Sequence, residues 1–449
     1  MHETENLKSK LTLFTNLLVP ILITQVSMFL MNFFDTVMSG RAGATDLAGV
    51  AIGSSLWVPI FTGVNGIILA VTPIIAHLLG AKKEREITEK VKQAIYLSIA
   101  LACIIFIIGI FSLNPILSLM DLESEVKHIA KFYLITLSIG MVPLFIFNTL
   151  RAFIDALGKT RTSMIIILIS LPLNIFFNYI FIFGKIGLPA FGGIGSGIAT
   201  AITYWLVFFI TVGIVLKVDP FRTFAILYQW SKPNIATWIE QLKIGIPIGF
   251  AIFFETSIFS AVTLLMSVYS TYTIAAHQAA MNFATLLYML PLSVGMALTI
   301  TVSYEVGAKR FLDAKTYSLI GIVSGVFIAL FAGGILFIFN KPVAALYNTD
   351  PDVIELTRQF IIYAIFFQLA DAFGAPLQGA LRGYKDVNMT LVIALISYWF
   401  IGLPSGWILA NYTSLEPFGY WLGLIIGLSA GAIALYARLI YIQRKKEFQ

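Results

Sequence analysis

Two carboxylate residues lie deep within long apolar segments of this sequence. Glu255 lies 12 residues after Lys243, and no other charged residue separates Lys243 from Glu305. Asp371 lies 13 residues after Arg358 and 11 before Arg382. An ionised carboxylate in the middle of a membrane costs roughly 2.5–3.5 kcal/mol on insertion scales, so it must be protonated, paired or coordinating a cation.

Cation exchange is the chemistry that such carboxylates can perform. Neither segment carries a Lys or Arg that we expect to lie near enough to neutralise Glu255 or Asp371. Burial favours the protonated form of a carboxylate, whereas a bound cation favours the charged form. We therefore predict a site that alternately holds sodium, a proton or a cationic substrate. The alternative is a protonated carboxyl group that forms hydrogen bonds inside a helix bundle.

A second group of polar residues could form a site made only of oxygen ligands. Asn174 and Asn178 are four residues apart and share one helix face. With the carboxylate of Asp35 and the hydroxyl of Thr200, their amide oxygens would suit alkali and alkaline-earth cations. Two amides that join neighbouring helices are the alternative. By position alone, Asp35 could also be an ordinary residue at the membrane interface.

Three further residues are candidates for a substrate-binding cleft. Gln278 and Asn282 repeat the polar spacing of four residues, and Phe367 lies one helical turn before Asp371. Aromatic faces and carboxylates together suit lipophilic cations. The alternatives are helix–helix contacts for the two amides and core packing for Phe367.

The elements that must position these residues are membrane helices. The chain has 449 residues, of which 59% are hydrophobic and only 12% are charged, whereas soluble domains carry about 25% charged residues. This composition excludes a soluble enzyme, a nucleic-acid-binding protein and a disordered chain. The net charge of +6 comes from Lys and Arg in short loops. We expect Cys103 to be a buried small residue and His277 to be structural.

About twelve apolar runs are long enough to cross a membrane, since a spanning helix needs about 20 apolar residues. The first run favours a membrane span over a cleavable signal because it extends to Met38. Lys and Arg are concentrated in alternate loops and at both ends, which predicts cytoplasmic termini. The predicted spans are 11–38, 48–77, 91–113, 129–150, 163–184, 193–216, 242–268, 275–303, 317–339, 357–381, 389–411 and 418–440.

Similar motifs recur at an almost constant offset along the chain. Pro20 and Pro247 are 227 residues apart, as are Gly80 and Gly307 at the ends of two spans. The repeat predicts an all-α protein with two six-helix lobes, related by a pseudo-two-fold axis along the membrane normal. The predicted lobes are residues 1–216 and 242–449, joined by a cytoplasmic linker at 217–241. A duplicated bundle that does not transport is the alternative.

Enzyme motifs are missing from the sequence. We find no Walker loop, Asp-rich diphosphate motif, HExxH or GxSxG, so we expect neither an enzyme nor a cofactor other than a coupling ion. A lipid-linked saccharide flippase is an alternative, but it would need cations in its cleft, and the mid-membrane charges are acids. A membrane-embedded enzyme and a passive channel are further alternatives, without a supporting motif.

Several separated motifs resemble those of the multidrug and toxic compound extrusion (MATE) family, in particular its NorM branch. They are MNFFDTVMSGRAGATDLAGVAIG, LNIFFNYIFIFG, GIGSGIATAI, FAIFFET, AAHQAAMNF and QLADAFGAPLQGALRGYKD. The resemblance implies export of organic cations and drugs by sodium or proton antiport. It implies that Asp35 is the carboxylate of the amino-terminal lobe, with Asn174, Asn178 and Thr200 as partners. It also implies that Glu255 and Asp371 form the cation site of the other lobe.

The chain departs from the family pattern at two positions. Phe367 stands where some members of the NorM branch carry Tyr, and Asn178 stands where other branches carry Asp. The missing carboxylate moves the expected sodium site toward Glu255 and Asp371. We expect a monomer in the cell membrane that contacts lipid and binds organic cations and sodium or protons, but no nucleic acid.

Overall fold

This protein is built from long apolar helices. The structure is a computed structural model that describes residues 3–228, 231–346 and 350–447. Those parts contain no strand. Within the described ranges, eleven helices, or twelve if one bent pair counts as a single span, are long and apolar enough to cross a membrane, which confirms the predicted fold class. We label them α1 (Leu7–Ala42), α2 (Ala44–Gly80), α3 (Glu84–Leu119), α4 (the bent pair Ser124–Ile139 and Met141–Ala156), α5 (Thr160–Phe183), α6 (Gly193–Lys217), α7 (Ile235–Val268), α8 (Thr271–Gly307), α9 (Phe311–Ile338), α10 (Pro351–Gly383), α11 (Val387–Tyr412) and α12 (Pro417–Glu447).

Proline explains the break in α4, where the two segments meet at an angle of 50°. Pro143 has no N–H group, so the carbonyl of Ile139 loses its helical hydrogen-bond partner. Gly140 lies at the break, and a Cβ added there would lie 2.8 Å from the Cα of Ala201. The absence of a side chain at Gly140 therefore lets α4 pack closely against α6 at the bend.

The chain forms two compact units. One consists of Ile23–Gly249, which we call unit N, and the other of the described parts of Met1–Leu22 and Phe250–Gln449, which we call unit C. Both boundaries lie inside helices, α1 and α7. The bounds of units N and C therefore differ from those of the predicted lobes, 1–216 and 242–449. The origin of the lobes as a sequence repeat stays a prediction.

The predicted linker, residues 217–241, packs against α3 within unit N. Gln93 of α3 donates a hydrogen bond to the carbonyl of Lys232 (2.9 Å) and accepts from the backbone N–H of Asn234 (2.8 Å). The indole of Trp238 donates to the same side chain at 3.0 Å. The end of the linker is already helical because α7 begins at Ile235. Residues 229 and 230 lie outside the described residues.

Glycines allow the helices of unit C to approach closely. A Cβ on Gly379 of α10 would lie 2.1 Å from the carbonyl oxygen of Gly295 on α8. A Cβ on Gly423 of α12 would lie 2.3 Å from the Cα of Gly406 on α11. These contacts place α10 against α8, and α12 against α11, at backbone distance.

Cys103 is exposed rather than buried, so the expectation of a buried residue is wrong. Its neighbours on α3, Ile104, Phe106 and Ile107, are exposed as well. Apolar side chains on the outside of a spanning helix can contact lipid, so an apolar sequence does not by itself indicate burial in protein.

Candidate cation site

Glu255 of α7 and Asp371 of α10 line one cavity of about 240 Å³ within unit C. Both side chains are buried, with exposed fractions of 4% and 3%. None of the described residues that line this cavity is Lys or Arg. The structure therefore brings together the two carboxylates that the sequence singled out, at buried positions where their charges are poorly solvated.

Glu255 accepts hydrogen bonds on both of its carboxylate oxygens. The hydroxyl of Tyr288, on α8, donates to Oε1 at 3.4 Å, and the amide of Gln378, on α10, donates to Oε2 at 3.4 Å. Both contacts are long for hydrogen bonds. They orient Glu255 and leave lone pairs available to a ligand.

Asp371 is less well paired than Glu255. Its Oδ2 atom is buried and has no hydrogen-bond partner. A buried acceptor without a donor is unfavourable by about 1–3 kcal/mol, and more if it is charged. A proton or a cation bound at this oxygen would remove that cost.

Arg382 corrects the expectation that no cation lies near these acids. It belongs to the last turn of α10 rather than to a loop, and its side chain is buried. Its Nη2 donates to the Gln378 oxygen at 3.2 Å, and Gln378 in turn donates to Glu255. No direct ion pair joins Arg382 to Glu255 within the described chain, so the connection passes through one amide.

The rest of the cavity wall is aromatic, apolar and hydroxyl-bearing. Phe367 lines the cavity and packs edge-on against Phe259 at 5.4 Å between ring centroids, and its role in a substrate cleft stays a prediction. Thr256 and Thr285 also line it, and both hydroxyls donate to carbonyls of their own helices. The lone pairs of these hydroxyl oxygens remain available to a bound cation, because hard cations prefer oxygen ligands.

Tyr398 reaches the cavity from a π-helical stretch of α11, Ile396–Gly402. Pro404 follows this stretch and cannot donate the hydrogen bond that an α-helix would need there. Such local π-helical turns are common at functional sites. Sequence analysis missed Tyr398, Tyr288 and Gln378; only Gln378 carried a signal, since it lies two helical turns after Asp371.

Gln278 and Asn282 do not line this cavity, and both side chains are exposed. Their assignment to a substrate cleft stays a prediction. His277, next to them on α8, is buried and accepts a hydrogen bond on Nδ1 from the Trp421 indole at 3.1 Å. Its Nε2 lies 3.1 Å from the Thr263 hydroxyl. Because indole is only a donor, Nδ1 carries no proton, which fits a neutral structural histidine.

Unit N brings together the second predicted group. Asn178 Nδ2 donates to Asp35 Oδ1 at 2.5 Å, and the Thr200 hydroxyl donates to Oδ2 at 3.3 Å. The same Asn178 nitrogen contacts Asn174 Oδ1 at 3.1 Å. The amide oxygen of Asn178 and the amide nitrogen of Asn174 are buried without partners. This cluster joins α1, α5 and α6 around one carboxylate.

Neither acid site resembles a transition-metal centre. No group of three or more His, Cys, Asp or Glu side chains within the described residues could hold a metal ion. Two carboxylates with hydroxyls and amides are hard oxygen ligands, which suit alkali cations or protons. Sodium at Glu255 and Asp371 stays a prediction that this donor set favours.

Comparison with known proteins identifies similar sequences over the whole chain. Residues 20–180 and 247–408 match the model of the MatE family. A protein of Oceanobacillus iheyensis named "Probable multidrug resistance protein NorM" is 66% identical over 445 residues, which cover 99% of this chain and 100% of that protein. A Bacillus subtilis protein of the same name is 54% identical, with 99% and 98% covered.

Solved structures share the fold at low sequence identity. A eukaryotic MATE transporter superposes with a TM-score of 0.87 at 20% identity, and the match covers 97% of this chain and 98% of the other. An outward-facing multidrug resistance MATE family transporter superposes with a TM-score of 0.89 at 19% identity, covering 98% and 97%. The two matches establish the fold of these helices.

Proposed function

Since this chain belongs to the MATE family of multidrug efflux transporters, we propose that it exports lipophilic organic cations in exchange for sodium or protons. Glu255 and Asp371 are the coupling site in this proposal. The observation that carries it is a cavity in which the only charged wall residues, among those the structure describes, are two buried acids, one of them with an unpartnered oxygen. A site of that charge attracts cations and repels the phosphate groups of a lipid-linked saccharide.

The cavity has ample room for a coupling ion and is slightly smaller than a typical drug site. Drug-sized sites occupy about 300–1,000 Å³, and this cavity has about 240 Å³. In one conformational state the carboxylates bind sodium or a proton. In the other state the protein binds the substrate more tightly than the coupling ion. Coupling then follows from the difference in cation affinity between the two states, because a ligand shifts an equilibrium only by that difference.

Asp35 is the second coupling carboxylate of the proposal. Its oxygens accept hydrogen bonds from Asn178 and Thr200, so a proton or sodium ion that binds there must rearrange those donors. Asn178 is an amide and not a second acid, so this site offers one carboxylate ligand, against two at Glu255 and Asp371. Sodium is therefore assigned to the latter pair.

The proposal places the transporter in the cell membrane as a monomer surrounded by lipid, with both termini in the cytoplasm. The membrane potential then helps the coupling ion to enter. Each elementary charge that crosses 100 mV supplies about 2.3 kcal/mol. A sodium gradient adds to this driving force.

Ethidium efflux from proteoliposomes tests the coupling site. The full chain is compared with Glu255→Gln, Asp371→Asn and Asp35→Asn under imposed sodium or pH gradients. We expect Glu255→Gln and Asp371→Asn each to lower sodium-driven efflux at least tenfold, because the bound ion loses a charged ligand. Glu123→Gln, at an exposed residue before α4, is the matched control and should behave as wild type.

Two results would overturn these assignments. Sodium-driven efflux that survives both Glu255→Gln and Asp371→Asn unaltered would remove the coupling role from unit C. Loss of sodium-driven efflux in Asp35→Asn alone would move that role to unit N.

A further inference from the structure

Arg382 is a buried cation that the coupling scheme above does not use. Its side chain is only 9% exposed, and its Nε atom is buried without an acceptor. A buried charge without a fully satisfied environment is expensive, so its presence requires a nearby compensating charge. The acid connected to it is Glu255, through the side chain of Gln378.

Gln378 transmits the charge of Arg382 because of its orientation. Its carbonyl oxygen accepts from Arg382 at 3.2 Å, so its amide group points the other way and donates to Glu255 Oε2 at 3.4 Å. Arg382 polarises that amide and stabilises negative charge on Glu255. Asp371 lies three helical turns away along α10 and has no such connection, and its Oδ2 is unpartnered.

The helices that form the cavity carry few charged residues near it. On α10, Asp371 and Arg382 are the only charged residues after Arg358. The segment between Lys243 and Glu305 covers most of α7 and α8, and its only charged residue is Glu255. No charged residue occurs in α11 or in α12 before Arg438. Glu255, Asp371 and Arg382 therefore sum to a formal charge of −1, while the phenols of Tyr288 and Tyr398 are neutral.

We propose that Arg382 is a built-in counter-cation that compensates Glu255 through Gln378 and thereby limits this site to one monovalent cation at a time. Arg382 is then a positioning and specificity-determining residue, since it does not line the cavity itself. The inference rests on the proposed function, because it takes the two acids to be the coupling site.

Ion valence gives a readout that a merely structural role of Arg382 would not change. Sodium and calcium have nearly equal ionic radii and both prefer oxygen ligands. A single uncompensated negative charge favours sodium, and two favour calcium, since a divalent ion gains twice as much from each added charge. Removal of the Arg382 charge should therefore change the calcium-to-sodium affinity ratio.

The experiment measures binding of radioactive sodium and calcium to the purified full chain. The variants are Arg382→Gln, Arg382→Lys and, as a matched control on α10, Arg358→Gln, whose side chain pairs with Glu355 outside the site. We expect Arg382→Gln to raise the calcium-to-sodium affinity ratio at least tenfold. Arg382→Lys keeps the charge and should stay within threefold of wild type, and Arg358→Gln should not change the ratio.

A second comparison covers the case in which Arg382→Gln does not yield a monodisperse protein. Glu255→Gln leaves a site of net charge zero, and Glu255→Gln with Arg382→Gln returns it to −1. The double variant should bind sodium at least tenfold more tightly than Glu255→Gln alone. If Arg382 were only structural, the double variant would bind no better than the single one.

The outcomes separate this inference from the proposed function. Calcium binding that appears in Arg382→Gln supports the inference, whichever coupling ion the wild type uses. The inference is wrong if the calcium-to-sodium affinity ratio is unchanged in Arg382→Gln and sodium binding is not recovered in the double variant. The proposed function still stands in that case, provided that Glu255→Gln and Asp371→Asn abolish coupling. If the two acid variants leave coupling unaltered, the proposed function itself fails.

Discussion

At the scale of single residues, buried polar groups of this protein fall into two classes, those with all hydrogen-bond partners present and those with a partner missing. His277 is fully paired, with Trp421 on one ring nitrogen and Thr263 on the other. Asp371 is equally buried but has an unpartnered oxygen. A paired group stabilises the fold, whereas an unpaired acid lowers its free energy by binding a cation. This difference separates a structural position from a binding position.

Trp421→Phe tests the pairing of His277. The substitution keeps an aromatic ring but leaves His277 Nδ1 without its donor, which should lower the free energy of unfolding by about 1–3 kcal/mol. The midpoint of thermal unfolding in detergent measures the change. Trp407→Phe is the control because Trp407 is 45% exposed. Equal midpoints for Trp421→Phe and wild type would mean that this hydrogen bond contributes no net stability.

At the scale of helices, backbone contacts between glycines position the acid site. Gly379 lies on α10 between Gln378 and Arg382, and it touches Gly295 of α8. Tyr288, which donates to Glu255, lies two turns earlier on α8. The contact between the two glycines therefore sets the distance between the helix that carries Tyr288 and the helix that carries Gln378.

Gly379→Ala tests this contact. The added Cβ would lie 2.1 Å from the carbonyl oxygen of Gly295, so α8 and α10 must separate. Overpacking of this kind costs about 1–3 kcal/mol, and ethidium efflux should fall together with the unfolding midpoint. Gly334→Ala is the matched control, since nothing lies within 4 Å of its added Cβ. A wild-type midpoint for Gly379→Ala would mean that the helices have room there.

At the scale of the whole molecule, the distribution of loop cations predicts orientation. Lys and Arg favour the cytoplasmic side of a membrane protein. Lys159 precedes α5 on the side predicted to be cytoplasmic, and Asp121 precedes α4 on the opposite side. Both residues are exposed, so either position can be labelled once it is replaced by cysteine.

Labelling with a membrane-impermeant maleimide tests this orientation. Cys103 is exposed and is first replaced by serine. We then expect Asp121→Cys to react in intact cells, and Lys159→Cys to react only after the cells are made permeable. The reverse pattern would contradict cytoplasmic termini.

Much of this protein could be predicted from its sequence. Apolar runs of about 20 residues predicted the spanning helices, because the thickness of a membrane sets their length. Glu255 and Asp371 were found for a similarly local reason: a charge within an apolar run stands out whatever its neighbours are. The polar groups of Asp35, Asn178 and Thr200 came together as the family resemblance implied.

Only the tertiary structure decided what surrounds those acids. Tyr288 and Tyr398 look like ordinary apolar-helix residues in the sequence, and their place in the cavity depends on the rotation of α8 and on the π-helical stretch of α11. Arg382 looked like a loop cation because sequence alone does not show which way a side chain at a helix end points. Hydropathy is a property of local segments, whereas pairing of buried charges depends on distances between residues far apart in the chain.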